Sequence, residues 1–237
     1  MIKKVKKIFP QRLKQGIKKS VTRIRSTGRQ KVFGIGFNKT GTTSLEAAMD
    51  KLGFIVANQI TSIKYMRDWG QRDFKRLIKY CRYGQFFQDI PFSKPFTYEV
   101  LDQAFPGSKF ILTVRDNPEQ WYNSLTKFHA KLWGKDNRIP TKENLINDKK
   151  FYKGYRWEMN RLSYNTPEDD IYNKEQLIES YTRHNKNVKE YFRHRPNDLL
   201  VLNVAEENAY QKLCDFLGEE PVGKNFPWKN KTQKVKQ

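Results

Sequence analysis

Apolar residues fall along this chain in two rhythms. Val32–Phe37, Phe54–Ala57, Gln85–Ile90, Lys109–Val114 and Leu199–Leu202 are short apolar runs bounded by polar or turn-forming residues, and they read as strands. Between them the spacing becomes helical. Leu45, Ala48, Met49 and Leu52 mark one helix stopped by Gly53, and Met66, Trp69, Phe74, Leu77 and Ile78 mark another over Ile63–Tyr80. Further helices are predicted over Phe96–Phe105, from Pro118 through Trp121 and Leu125 to Leu132, over Glu175–Phe192, and over Glu206–Leu217, ended by Gly218. Residues 134–174 are polar and aromatic without a clean period and read as an insertion or lid with mobile charged parts. There is no internal repeat. Strand and helix alternate, which predicts an α/β three-layer sandwich: a central parallel sheet of about five strands with helices on both faces. Ligands of such a sheet sit at the carboxyl ends of the strands. That places the loop after the first strand, Asp89 after the third and Arg115 after the fourth around one crevice.

Composition adjusts this picture in a few places. The 237 residues suit one domain, taken here as 31–230, with a basic tail over 1–30 and a second over 231–237. Hydrophobic residues make up 37% and aromatic residues 14%, so the core should be modest and aromatic-rich. The net charge of +21 calls for an anionic partner: a nucleotide-like cofactor, an acidic substrate, nucleic acid or a membrane surface. Residues 1–31 hold 12 lysines or arginines, and no acid precedes Glu46. Val5, Ile8, Leu13, Ile17, Val21 and Ile24 recur there at near-helical spacing. The stretch is either a basic amphipathic helix for an anionic membrane or partner, or a solvated flexible tail. Cys81 and Cys214 fall in different predicted helices and indicate no disulfide, so a reducing compartment is expected. No run reaches about 18 apolar residues, and the N-terminus lacks the apolar core of a secretory signal. A cytoplasmic protein, peripheral to a membrane through its tail, fits these features.

The chemistry concentrates in Lys31-Val-Phe-Gly-Ile-Gly-Phe-Asn-Lys-Thr-Gly-Thr-Thr-Ser-Leu45. A strand, a tight polar loop and a helix start together make an anion site. The helix start offers unpaired N–H groups and partial positive charge, and Lys39 adds a full one. Thr40, Thr42, Thr43 and Ser44 supply hydroxyls. The order differs from the ATP-binding pattern G-x-x-x-x-G-K-[ST], because here the lysine precedes the glycine. Gly36-Phe-Asn-Lys-Thr-Gly-Thr-Thr-Ser-Leu45 resembles the 5′-phosphosulfate loop of sulfotransferases that use 3′-phosphoadenosine-5′-phosphosulfate (PAPS). The resemblance implies a P-loop-type fold, with Asn38, Lys39, Thr40, Gly41, Thr42, Thr43 and Ser44 around the donor.

Lys109-Phe-Ile-Leu-Thr-Val-Arg-Asp-Asn-Pro-Glu-Gln-Trp-Tyr-Asn-Ser-Leu125 resembles the 3′-phosphate site of the same family. Arg115 presents a planar fork to a phosphate and Ser124 adds a hydroxyl from the next helix. Asn123 rivals Ser124, because the usual family spacing is about one residue shorter. The plainer alternative pairs Arg115 with Asp116 or Glu119. Asp89-Ile90-Pro91 stands where many members carry a catalytic histidine two residues before a proline. A carboxylate there can take a hydroxyl proton, or Asp89 caps a helix or pairs with Lys39. His129 is the alternative base, while His184 and His194 read as helix-surface residues. More weakly, Tyr181-Thr-Arg-His-Asn-Lys186, Leu199–Leu202 and Phe226-Pro-Trp228 are similar to the end of a subgroup of small soluble sulfotransferases. The family's late Arg-Lys-Gly segment is not evident, and Lys224, Lys229 or Lys231 would have to stand in for it.

The resemblance implies transfer of a sulfonate group from PAPS to an acceptor hydroxyl or amine, with Lys39 stabilising charge on the leaving phosphate and no metal. A glycan acceptor would suit the charge, and nucleic acid is not an expected partner. Phe128, Trp133, Tyr152, Tyr155 and Trp157 line an acceptor pocket or form a small satellite core. Two other readings stay open: a nucleotide-dependent kinase or NTPase on the same fold, and a non-catalytic anion- or membrane-binding protein.

Overall fold

Side chains alternate across each strand, and that alternation sorts the core into two layers. The computed structural model of the protein describes residues 22–149, 151–223 and 225–227. Four strands, β1 (Val32–Gly34), β2 (Phe86–Gln88), β3 (Lys109–Thr113) and β4 (Leu199–Leu202), form one parallel sheet in the order β2-β1-β3-β4. The longer helices are α1 (Thr42–Lys51), α2 (Thr97–Ala104), α3 (Pro118–Trp133), α4 (Lys142–Asn147), α5 (Tyr155–Tyr164), α6 (Lys174–Tyr191) and α7 (Ala209–Leu217). Val32, Phe86, Ile111 and Leu202 share one face and are buried with Leu45, Ala48 and Met49 of α1 and Leu213 and Cys214 of α7. Their neighbours Phe33, Phe87, Phe110 and Leu112 point the other way, against Leu101 of α2 and Val188 of α6. Phe33 is the hub of this second layer, with the rings of Phe87, Phe92, Phe105 and Phe110 at centroid distances of 5.4 to 6.1 Å. The three-layer α/β architecture expected from the sequence is therefore present.

The sheet has four strands where about five were expected. Phe54–Ala57 reaches β2 only through an isolated Val56–Phe86 bridge. Ala57 gives its N–H to Phe86 O at 2.9 Å, and then Asn58 caps a new helical turn by accepting from Thr61 N at 3.0 Å, so the pairing ends. The single helix expected over Ile63–Tyr80 is broken. Met66–Gly70 and Lys75–Tyr80 are separate pieces, and Arg72 between them has φ of 61°. The last helix starts at Ala209, three residues later than its pattern suggested.

Residues 134–174 hold α4 and α5 and pack as part of the molecule. Leu145, Tyr164, Ile171 and Tyr172 join Phe37, Trp121 and Tyr181 in a third cluster. Tyr155 and Met159 join Met66 and Trp69 in a fourth. Cys81 and Cys214 are both buried and unpaired. No described helix is long and apolar enough to cross a membrane. Of the expected tails, residues 1–21 and 231–237 lie outside the described residues, while 22–30 begin in a helical turn and are docked on the domain, where buried Ser26 donates to Arg82 O at 2.9 Å.

Candidate active site

The loop after β1 is shaped by two close approaches. Ile35 still bonds to Ile111 O at 2.9 Å. Gly36 then passes so near β3 that a Cβ would lie 2.2 Å from Thr113 Oγ1 and 2.5 Å from its carbonyl oxygen. At Gly41, with φ of 101°, a Cβ would lie 2.3 Å from Val204 Cγ2, just beyond β4. Thr40 is fully buried, and its Oγ1 lies 2.5 Å from both Phe37 O and Thr113 Oγ1. Its hydroxyl thus ties the loop to β3. Lys39 sits at φ of 74°, a left-handed conformation that costs an L residue on the order of 1 kcal/mol. Such strain persists where the surroundings fix it, as they do here.

α1 begins without a side-chain cap. Ser44 and Leu45 give their N–H groups to Gly41 O at 3.0 Å. The amides ahead of them have no intrahelical acceptor and stand at the positive end of the helix. Thr42, Thr43 and Ser44 occupy this first turn, with Thr43 the exposed one.

β3 ends beside this loop and delivers Arg115 to it. Arg115 Nε donates to Lys39 O at 2.6 Å, and Arg115 N–H donates to the hydroxyl of Tyr181 at 3.0 Å. The acids that might have claimed this arginine are engaged elsewhere. Asp116 accepts from Gln120 and Asn203, and Glu119 pairs with Lys174 at 2.8 Å. Lys39 Nζ rests 3.5 Å from the centroid of the Phe128 ring. Burial, with Arg115 nearby, pushes the Lys39 ammonium down to about 8, and Asp89 partly opposes this. Burial also lowers Arg115. Two cations from separate strand ends therefore share one site.

α3 closes that site along a single stripe. Trp121 donates from Nε1 to Asn38 O at 2.9 Å, and Phe128 carries the Lys39 ammonium. Ser124 stands between them at i+3 and i−4, so it lies on the same stripe. Asn123 is exposed and off that stripe, which favours Ser124 of the two rivals.

Asp89 follows β2 on the other side of the loop, at φ of 63°. Its Oδ1 accepts the N–H of Ile90 at 2.9 Å and its Oδ2 accepts from Gln59 Nε2. Burial raises this carboxyl above the usual range. Lys94, the Ile90 amide and the Asn38 side chain pull it down, and Glu46 adds a smaller upward push. His129 is buried, with Nδ1 2.9 Å from the Tyr172 hydroxyl and its ring 4.2 Å from that of Trp133. Burial, helped by Lys39, Arg156 and Lys94, pushes it down to about 3, which makes it a weak proton acceptor at neutral pH.

His184 is not a surface residue. It is 3% exposed, its Nε2 lies 2.8 Å from Ile35 O, and its ring stacks on Phe37 at 4.5 Å. α6 turns this face inward to cover the end of β1, which the helical spacing alone could not reveal. His194 is exposed, beyond the end of α6. Of the five aromatic residues assigned to a pocket or a core, Trp133 and Trp157 pack on the third cluster and Tyr152 and Tyr155 belong to the fourth. Phe128 alone lies against Lys39. Lys224, Lys229 and Lys231 lie outside the described residues.

Sequence reasoning missed Gln59, the buried role of Tyr181, and Lys94. The available signal for Lys94 was a lysine inside Pro91-Phe-Ser-Lys-Pro-Phe96, a stretch with no other charge. Compared with known proteins, residues 31–235 match the family model described as a sulfotransferase domain. A comparison with curated proteins gives no match.

Proposed function

The chain belongs to the sulfotransferase domain family, and from that premise we propose that it moves a sulfonate group from PAPS to a hydroxyl or amine of a small acceptor. The observation that carries this reading is the convergence of Lys39 and Arg115, joined by the 2.6 Å bond from Arg115 Nε to the Lys39 carbonyl. The donor nucleotide presents an anionic phosphosulfate at one end and an anionic phosphate at the other, and these two cations suit the two ends. In this reading the α1 amides, Thr42, Thr43 and Ser44 hold the 5′-phosphosulfate, while Thr40 and Gly41 shape the turn. Arg115 and Ser124 hold the 3′-phosphate.

Asp89 acts as the base. The acceptor O–H or N–H bond breaks and its proton goes to the Asp89 carboxylate. The electron pair left behind forms the new bond to sulfur. The bond from sulfur to the bridging phosphate oxygen breaks, and Lys39 stabilises the charge that collects on that oxygen. Asn38 serves both ends, its side chain helping to hold the Asp89 carboxyl down and its carbonyl accepting from Trp121. Positioning and charge stabilisation supply the catalysis, as in phosphoryl transfer.

Radiolabelled PAPS incubated with a panel of hydroxyl and amine acceptors tests the proposal. Label should pass to at least one acceptor class, and Asp89→Asn should slow that transfer by about 100-fold or more. Full activity in Asp89→Asn would remove the base assignment, and transfer to none of the acceptors would remove the activity.

A further inference from the structure

Lys94 is fully buried, and its Nζ has no hydrogen-bond acceptor among the described residues. Its ammonium lies 4.8 Å from the ring centroid of Tyr164 and 5.2 Å from that of Phe37. Aromatic faces attract a cation, but they do not replace lost water hydrogen bonds. Lysine is almost never buried without a counter-charge, and the exceptions gather at functional sites.

The position is held firmly. Ser93 N–H bonds to Asp89 O at 2.9 Å, Lys94 N–H to Pro91 O at 3.0 Å, and Thr97 N–H to Lys94 O at 3.3 Å. Thr97 Oγ1 also donates to Pro91 O at 3.0 Å. This closed turn holds the backbone of residues 89–97 together, so Lys94 is fixed within one turn of Asp89.

The surrounding charges identify its partner. Lys94 is within the fields of Asp89, His129 and His184. Burial keeps both histidines neutral, so Asp89 is the one anion acting on it. Asp89 in turn interacts electrostatically with Lys94, Lys39, Glu46 and the phenols of Tyr155 and Tyr164. Lys39 is assigned to the donor in the reading above, which leaves Lys94 as the cation with no other task.

We propose that Lys94 is a positioning residue: a buried counter-charge, screened from solvent and substrate, that keeps Asp89 ionised and so able to take the acceptor proton. The proposal rests on the reading of Asp89 as the base. Burial pulls the Asp89 proton on, and a fixed buried cation pulls it off. When the acceptor proton reaches Asp89 the pair becomes a carboxylic acid beside an ammonium, which favours release of that proton before the next cycle.

The test is an NMR titration of the ligand-free full chain carrying ¹³C-labelled aspartate, with Asp89→Asn used to assign the signal. In Lys94→Met the Asp89 carboxyl should titrate at least about one pH unit higher than in wild type, and Lys94→Arg should restore most of the difference. The acid limb of kcat should move upward in pH with it, while the KM for PAPS stays within about twofold. An Asp89 titration identical in wild type and Lys94→Met would overturn the proposal. Should Lys94→Met not fold, the reciprocal measurement decides. The Lys94 ammonium, pushed down to about 8 in wild type, should fall further in Asp89→Asn, and no change there would equally overturn it. Neither titration requires turnover, so loss of the sulfotransferase reading and loss of this one would be seen separately.

Discussion

At the scale of single residues the site turns on how far burial weakens its cations. Lys39 is pushed down to about 8, so its charge is fully present below that pH and is lost as pH rises through it. Affinity for 3′-phosphoadenosine-5′-phosphate (PAP) in the ligand-free protein should therefore fall by roughly tenfold between pH 7 and 9. Lys39→Arg should flatten that fall, because an arginine keeps its proton throughout. Calorimetry across this range checks it, and a flat profile in wild type would show that Lys39 does not meet the phosphates. Lys39 and Arg115 were legible in the sequence because each stands at the end of an apolar run, where strand geometry sends it to the carboxyl edge. Lys94 and His184 were not. What sets their character is Phe37 and Tyr164, which lie far from them in the chain and meet them only after folding.

At the scale of elements, β1 is the piece on which the others close. His184 of α6 bonds to Ile35 O, Trp121 of α3 bonds to Asn38 O, and Thr40 reaches back to β3. The two buried histidines give this packing a pH signature. Burial pushes His184 down to about 4 and His129 to about 3, below the 6.5 of the free side chain. Their contribution to stability is complete above about pH 6.5 and is lost as pH falls from there towards those values, since the unfolded chain takes up the protons first. The melting temperature should drop across this window, and His184→Gln should shrink the drop while keeping a donor for Ile35 O. An acid profile unchanged by His184→Gln would contradict the neutral buried ring. Strands β1 to β4 were readable from apolar runs. The Phe54–Ala57 run was equally apolar, yet the cap at Asn58 cut its pairing to one bridge. α5 escaped notice because its buried positions Tyr155, Met159, Asn160, Ser163 and Tyr164 mix polar and aromatic side chains, which hides the helical period.

Across the whole molecule the net charge of +21 is far more than one donor nucleotide needs. Long-range attraction of this kind speeds the encounter with anions and is screened by salt. Much of the excess lies in the first 30 residues, ahead of the matched domain. Removing residues 1–21 should weaken binding to vesicles rich in phosphatidylserine, with an effect that fades at high salt, and leave PAP affinity within about twofold. Sedimentation with vesicles measures the first and calorimetry the second. Vesicle binding that survives the deletion would place the membrane-facing charge on the folded domain. The packing of residues 134–174 was not legible in the sequence, because its clusters draw on Trp69, Phe37 and Trp121 from other parts of the chain.

The most direct measurement is isothermal calorimetry of the full chain with PAP at neutral pH, in wild type and in Lys39→Ala and Arg115→Ala. We expect one PAP per chain, with each substitution weakening binding by about tenfold or more while the circular dichroism spectrum is preserved. Folded wild-type protein that binds no PAP, or variants that bind it as tightly as wild type, would contradict the assignment of this crevice to the sulfonate donor.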